Sequence, residues 1–329
     1  MTGTLDPGTV DRLCRRALGR PVQVVDVHRL RGGTKKGVLR VRTSGGPPVV
    51  IYVWHEDEDW WHGSEDPAAD VEPFAAANGL ELLTGAHDLL TGIGVRVPRI
   101  LHAERRGAGL EVDCAVVEDV TGGSLQELLA SDPGAAVPVL AELRDHLGRM
   151  ATTTAPRWGK VLRTGSPAGP QLPFHEVVAH RARRHLTAAA AREPRLAAAA
   201  DRVETLLLDR VAAVGAREGA AYGLVHGELG PDHVLLDATG RPVLVDLEGL
   251  MWADVEWEHA FLDLRFGEHY ARLRLPGLDS ARLELHRLAL HLSLVEGPLR
   301  LVAQGFPDAG FMVEIAEHNL GKVLADVAG

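Results

Sequence analysis

Cysteine is scarce in this chain. Cys14 and Cys114 are the only two in 329 residues. Their spacing fits neither a metal site nor a redox motif, and one pair makes no disulfide framework. Both read as small, buried apolar residues. Long apolar runs are missing too: none approaches the ~20 residues that a membrane helix needs. The stretch 1–7 shows neither the basic flank nor the apolar core of a secretion signal. No membrane association is expected, and a cytoplasmic location is. Nor is there a surplus of positive charge. The formal net charge of −10 argues against nucleic acid as a partner and is compatible with a cationic small molecule. The Walker A pattern G-x-x-x-x-G-K-[ST] is absent. His175 and His180 are five positions apart and therefore on different helix faces, which excludes the zinc-binding pair that needs a spacing of four. No repeat occurs at a solenoid period.

What is present is an ordinary globular profile, 46% hydrophobic and 24% charged, in a chain long enough for two lobes. Asp6-Pro7 reads as an N-cap with proline at the first helical position, and the helix through 10–18 stops at Gly19. Strand-like stretches follow at 22–30, 38–43 and 49–54, rich in Val, Ile, Tyr and Trp. They are joined by Gly32-Gly33-Thr34-Lys35-Lys36-Gly37 and by Gly45-Gly46-Pro47-Pro48, both hairpin signals. Consecutive hairpins make an antiparallel sheet, which speaks against a βαβ dinucleotide-binding unit. An acidic connection at 56–72 carries Trp60 and Trp61. A helical pattern at 74–90 and strands at 97–101 and 112–118 come next. Ser124 and Glu127 form a capping box ahead of another helix. From about 121 to 225 the pattern is mostly helical, and amphipathic helices at 280–301 and 308–325 finish the chain.

The most informative segment is 224–237, Leu-Val-His-Gly-Glu-Leu-Gly-Pro-Asp-His-Val-Leu-Leu-Asp, followed at 243–248 by Val-Leu-Val-Asp-Leu-Glu. Two carboxylates presented from loops at the ends of short strands suit phosphoryl transfer. One orients the attacking hydroxyl, and the other holds the magnesium that bridges the nucleotide phosphates. The pattern resembles the catalytic and metal loops of the aminoglycoside phosphotransferase and choline kinase-like family. Those small-molecule kinases usually read H-G-D-x-x-x-x-N and then I-D-W or I-D-F. Here the reading is H-G-E-x-x-x-x-H and then V-D-L. The resemblance covers nearly the whole chain in layout and about thirty residues in motif terms. It implies an α+β, bilobal, protein-kinase-like fold with an antiparallel-sheet N-lobe at 1–120 and a mainly helical C-lobe at 121–329.

The resemblance implies the following roles. Glu228, after His226-Gly227, takes the catalytic position, with one methylene more than aspartate. His233 stands where a metal-binding Asn is usual; it is open between metal or phosphate contact and a role in ordering the loop. Asp246, with Glu248 two residues on, holds Mg2+ or, given the imidazole, Mn2+. Asp254 looks like a structural acid that hydrogen-bonds the catalytic loop. Gly32, Gly33, Thr34, Lys35 and Lys36 cover the phosphates of ATP or GTP. Glu118, Asp119 and Val120 form the linker whose backbone binds the purine. The third strand departs from the pattern: Tyr52 stands where a phosphate-pairing lysine is expected, so its helical partner, Glu81 or else Glu72, lacks the usual cation. Lys35 or Lys36 could supply the charge. The implied activity is phosphorylation of a small hydroxyl-bearing substrate such as an aminoglycoside, nucleoside or amino alcohol. Two alternatives stay open: a catalytically inactive binding module, and nucleotidyl transfer on the same fold.

Overall fold

Asp6 opens the first helix, α1 (Pro7–Leu18), by accepting from the Thr9 amide, and Gly19 closes it in the left-handed conformation that glycine adopts without cost. The computed structural model describes residues 5–30, 35–58, 74, 78–107, 110–161, 172–215 and 221–328. Five antiparallel strands follow α1: β1 (Gln23–Arg29), β2 (Gly37–Ser44), β3 (Val49–Trp54), β4 (Ile100–Glu104) and β5 (Asp113–Glu118). They pair in the order β1-β2-β3-β5-β4. All six residues of β3 are buried, as a central strand covered on both faces must be. One face packs Val49, Ile51 and Val53 with Leu39, Val41, Cys114 and Val116 against Val10, Leu13 and Cys14 of α1. The opposite face, which carries Tyr52 and Val117, meets Leu83 and His87 of α2 (Leu80–Gly92).

Two expected boundaries moved. The fourth strand begins at Ile100, not 97, because Pro98 has no amide to donate to a ladder. Among the described residues α2 begins at Leu80, after Gly79 at φ +125°, a conformation that ends helical continuity on its N-terminal side.

Contacts divide the chain into two compact units: 1–153 with 159–167 and 230–251, and 154–158 with 168–229 and 252–329. The first unit adds α3 (Leu125–Ser131), capped by the reciprocal Ser124–Glu127 bonds at 3.2 and 2.8 Å, and α4 (Ala136–Thr152). The second holds α5 (Phe174–Ala190), α6 (Pro194–Ala213), the short strand β6 (Tyr222–Val225), α7 (Val255–Phe266), α8 (Ser280–Ala303) and α9 (Ala309–Asp326). Within it α8 packs along α5, α7 and α9. Phe174, fully buried, sits edge-on to Trp158, Trp257 and His286.

The first unit also contains a hairpin of β7 (Val234–Leu236) and β8 (Pro242–Leu244). Gly122 seats it, donating its amide to the Leu236 carbonyl at 3.0 Å, while Leu236 donates back to the Gly123 carbonyl at 2.9 Å. A Cβ on Gly122 would lie 2.4 Å from that Leu236 oxygen, so only glycine permits the approach. Gly122→Ala is expected to cost about 1–3 kcal/mol by forcing the backbone apart. Urea denaturation checks it, and an unchanged midpoint would contradict the close seating.

Candidate active site

An antiparallel hairpin brings the residues just before its first strand beside those just after its second. In β7–β8, Val234 faces Leu244. One step out, Val245 donates its amide to the His233 carbonyl at 3.0 Å. His233 and Asp246 therefore emerge at the same end, with His233 Nε2 3.9 Å from Asp246 Oδ2. Asp246 has φ +62° and ψ +53°, the only positive φ of a non-glycine among the described residues. Aspartate tolerates this left-handed conformation better than most side chains, at a modest strain cost of the kind that gathers at functional positions. The chain then makes a single tight turn, Leu247–Gly249, which buries Glu248 and leaves Asp246 exposed. The second carboxylate oxygen of Glu248 has no hydrogen-bond partner among the described residues. A buried, partnerless oxygen is costly.

Lys36 reaches this loop from the other end of the sequence. It precedes β2, where Gly37 pairs with Val53 and Val38 with Tyr52. Its Nζ donates to Asp246 Oδ1 at 2.7 Å and Glu248 Oε1 at 2.6 Å, and lies 4.9 Å from the centre of the Tyr52 ring. Lys36 is 7% exposed and Glu248 3%. Burial opposes the ammonium charge, but attraction from Asp246 and Glu248 outweighs it and holds Lys36 protonated well above the usual lysine range. In turn the Lys36 charge keeps Asp246 ionised well below the usual carboxylate range. Burial pushes the Tyr52 phenol up to about 12 despite the ammonium above it. The ring face thus meets the cation as an uncharged aromatic. Tyr52 stands where a strand lysine was expected, and a lysine charge is nonetheless present beside its ring. Leu83 and His87 of α2, with Val245, Asp246 and Leu247, line a small crevice next to Tyr52.

Glu228 and His226 belong to the second unit. The His-Gly-Glu turn follows β6, with His226 fully buried, Gly227 at φ +90° and Glu228 exposed. The Gly227 amide donates to Glu258 Oε2 of α7 at 3.0 Å, and the His226 amide adds a second bond to that carboxylate. Glu258 therefore holds the turn that presents Glu228. Asp254, the acid to which the resemblance points, receives Arg282 Nη1 at 2.8 Å, while Arg282 Nη2 donates to the Gly215 carbonyl. The residues alone give little sign of the Glu258 bond: the first turns of α7 carry two acids, Glu256 and Glu258, and only the fold shows both buried with Trp257, His259 and Ala260. A buried acid among apolar neighbours needs backbone donors.

Burial raises the Glu258 carboxyl from its ordinary 4.5 to about 7, and the two amides only partly offset that. A raised carboxyl binds its proton more tightly folded than unfolded, so wild-type stability falls as pH rises from about 4.5 to about 7. Glu258→Gln removes this slope while leaving an amide oxygen for Gly227. The Tm of wild type minus that of the variant is expected to be higher at pH 5 than at pH 8. A constant difference would contradict the buried proton.

The remaining candidates divide by location. Gly32, Gly33, Thr34, Trp60, Trp61 and Glu72 lie outside the described residues. Lys35 is half-buried beside Lys36. Glu81 lies in the first turn of α2, half-buried. Glu118 ends β5; its amide donates to the Arg99 carbonyl at 2.9 Å, and its carboxylate is gripped by Arg96 at 2.6 Å and Arg99 at 3.0 Å. Asp119 pairs with Arg40, and Val120 is buried. No group of three or more His, Cys, Asp or Glu side chains that could hold a metal occurs among the described residues, and no described helix is long and apolar enough to cross a membrane.

A family model described as the phosphotransferase enzyme family matches residues 29–288. The chain belongs to that family. The matched residues include Lys36, the His-Gly-Glu turn, the Val-Asp-Leu-Glu loop and α7. No curated protein matches the chain. Among solved structures, the chain resembles a GDP complex of an aminoglycoside 2'-phosphotransferase-IIIa mutant, at 15% identity and TM-score 0.65 over 98% of this chain and 100% of that one. It resembles a thermostable mutant of aminoglycoside phosphotransferase (4)-Ia in a ternary complex with ADP and hygromycin B at 16%, 0.59, 94% and 97%. The choline kinase LicA of Streptococcus pneumoniae matches at 13%, 0.62, 96% and 99%. At such identities the likeness is one of fold, the α+β protein-kinase-like fold that the sequence suggested.

Proposed function

We propose that this protein moves the γ-phosphate of ATP or GTP onto a hydroxyl of a small molecule such as an aminoglycoside, a nucleoside or an amino alcohol, with Mg2+ or Mn2+ as its metal. The observation that carries the proposal is the acidic pair Asp246 and Glu248 at the end of the β7–β8 hairpin. One carboxylate is exposed, and the other is buried with an oxygen left over. Such a pair fits a metal that takes one or two carboxylates and fills its other positions with phosphate oxygens and water. His233 adds a nitrogen donor that suits Mn2+ better than Mg2+. When bound, the metal would neutralise charge on the β- and γ-phosphate oxygens.

The chain's own residues do the rest. The Glu228 carboxylate accepts the proton of the acceptor hydroxyl as its oxygen bonds to the γ-phosphorus. The bond from that phosphorus to the β–γ bridging oxygen breaks, and the nucleoside diphosphate departs. His226 and Gly227, held through their amides by Glu258, fix where Glu228 points. Lys35 and Lys36 neutralise the phosphates, and the backbone amides of Gly32, Gly33 and Thr34 cover them. The backbone at Glu118 and Val120 holds the base. The formal charge of −10 favours a cationic acceptor. The nucleotides and the aminoglycoside bound by the similar structures support the choice of substrate classes.

One observation favours a second function, nucleotide-dependent binding without transfer: Lys36 neutralises Asp246 and Glu248 with no metal needed. Calorimetric titration of ATP and GTP, with Mg2+ and then Mn2+, into the wild-type chain tests the first requirement of catalysis. Metal-dependent binding is expected, and absence of binding with either nucleotide and either metal contradicts the proposal. Binding with no turnover on any acceptor selects the second function.

A further inference from the structure

Lys36 touches the same two carboxylates that the proposed function gives to the metal, and the inference below rests on that assignment of Asp246 and Glu248. Its Nζ lies 2.7 Å from Asp246 and 2.6 Å from Glu248. A divalent ion bonded to the same oxygens would sit at about 2.0–2.6 Å from them, within contact distance of the ammonium. Two cations that close, walled by buried Glu248 and the Tyr52 ring, repel strongly because little water screens them. The lysine has a flexible four-carbon stem, so its head can leave while its Cα stays.

We propose that Lys36 is a resident counter-cation of the metal loop, which a divalent ion must displace before it can bind Asp246 and Glu248. A nucleotide triphosphate offers the displaced ammonium its next partner. Nucleotide and metal therefore bind cooperatively, each clearing the way for the other. This assigns to Lys36 a function that a lysine at the Tyr52 position of β3 would not have: it gates the metal as well as contacting phosphate. The free oxygen of Glu248 is the point at which the ion first gains a hold while Lys36 still occupies the other.

Mn2+ binding to the full chain without nucleotide, read from loss of the free Mn2+ electron paramagnetic resonance signal, tests the inference. Lys36→Met is expected to bind Mn2+ at least about fivefold tighter than wild type, the lower end of usual coupling strengths. Lys36→Arg should stay near wild type, and Lys36→Met combined with Asp246→Asn should lose the gain. Lys36→Met binding no tighter, while wild type binds Mn2+ through Asp246, overturns the counter-cation and leaves the proposed function standing. Mn2+ binding in none of the variants overturns the metal role of Asp246 itself, and the inference with it. Where Lys36→Met does not fold, acetylation of wild-type lysines gives the answer. The chain has four, Lys35, Lys36, Lys160 and Lys322. Saturating Mn2+ is expected to raise modification of Lys36 several-fold against Lys322 as internal reference, and unchanged modification overturns the proposal.

Discussion

Glu228→Gln is expected to lower kcat for phosphoryl transfer by about a thousandfold, within the usual range for losing a positioned general base, and to leave KM within about threefold because the lost contact acts in the transition state. Glutamine matches glutamate in size and can orient a hydroxyl, but it cannot take its proton. Glu228 is exposed after a turn whose two preceding amides are tied to Glu258, so the substitution leaves the turn's supports in place. Steady-state kinetics with the acceptor found by screening, together with the Tm of both proteins, checks this. A variant with wild-type kcat would remove Glu228 from the chemistry.

The second large effect belongs to the Val-Asp-Leu-Glu loop. Asp246→Asn is expected to weaken Mg2+- or Mn2+-dependent nucleotide binding by at least about a hundredfold, since even indirect supports of a metal ligand are worth ten- to a hundredfold. Asparagine adopts the left-handed backbone at φ +62° as readily as aspartate, and Lys36 keeps Glu248 as a partner at 2.6 Å. The variant should therefore fold. Calorimetry of the variant beside wild type measures the loss. Equal affinities would mean that the nucleotide is held without Asp246, by Lys36 and the glycine loop alone.

The parts of this protein that could be read from its residues are those whose signal is local. Asp6, Pro7 and Gly19 bound α1 because caps and proline act within one turn, and Ser124 with Glu127 announced α3 for the same reason. The hairpin strands were visible because β-branched runs alternate with Gly and Pro turns. β4 starts only at Ile100 because Pro98 has no amide for the ladder, a break that the apolar composition of 97–101 hides. The His-Gly-Glu turn and the Val-Asp-Leu-Glu loop were found because each is contiguous. What joins them to their supports is not. Lys36 and Asp246 are 210 positions apart, and nothing in either neighbourhood names the other. The absence of a strand lysine at Tyr52 pointed only to the glycine loop as a source of charge. The resemblance points to Asp254 as the acid beneath the turn, and nothing local marks Glu258 in its place. Only the packing of α7 shows which one faces Gly227 and which faces Arg282.

The most direct test of phosphoryl transfer is the mass of a product. Wild-type protein would be incubated with ATP or GTP, Mn2+ or Mg2+, and a panel of aminoglycosides, nucleosides and amino alcohols, and each mixture weighed by mass spectrometry. The account predicts one acceptor heavier by a single phosphate, with an equal amount of nucleoside diphosphate formed and both products made about a thousandfold more slowly by Glu228→Gln. An acceptor heavier by a whole nucleotide, or bound nucleotide that no acceptor ever consumes, would contradict it.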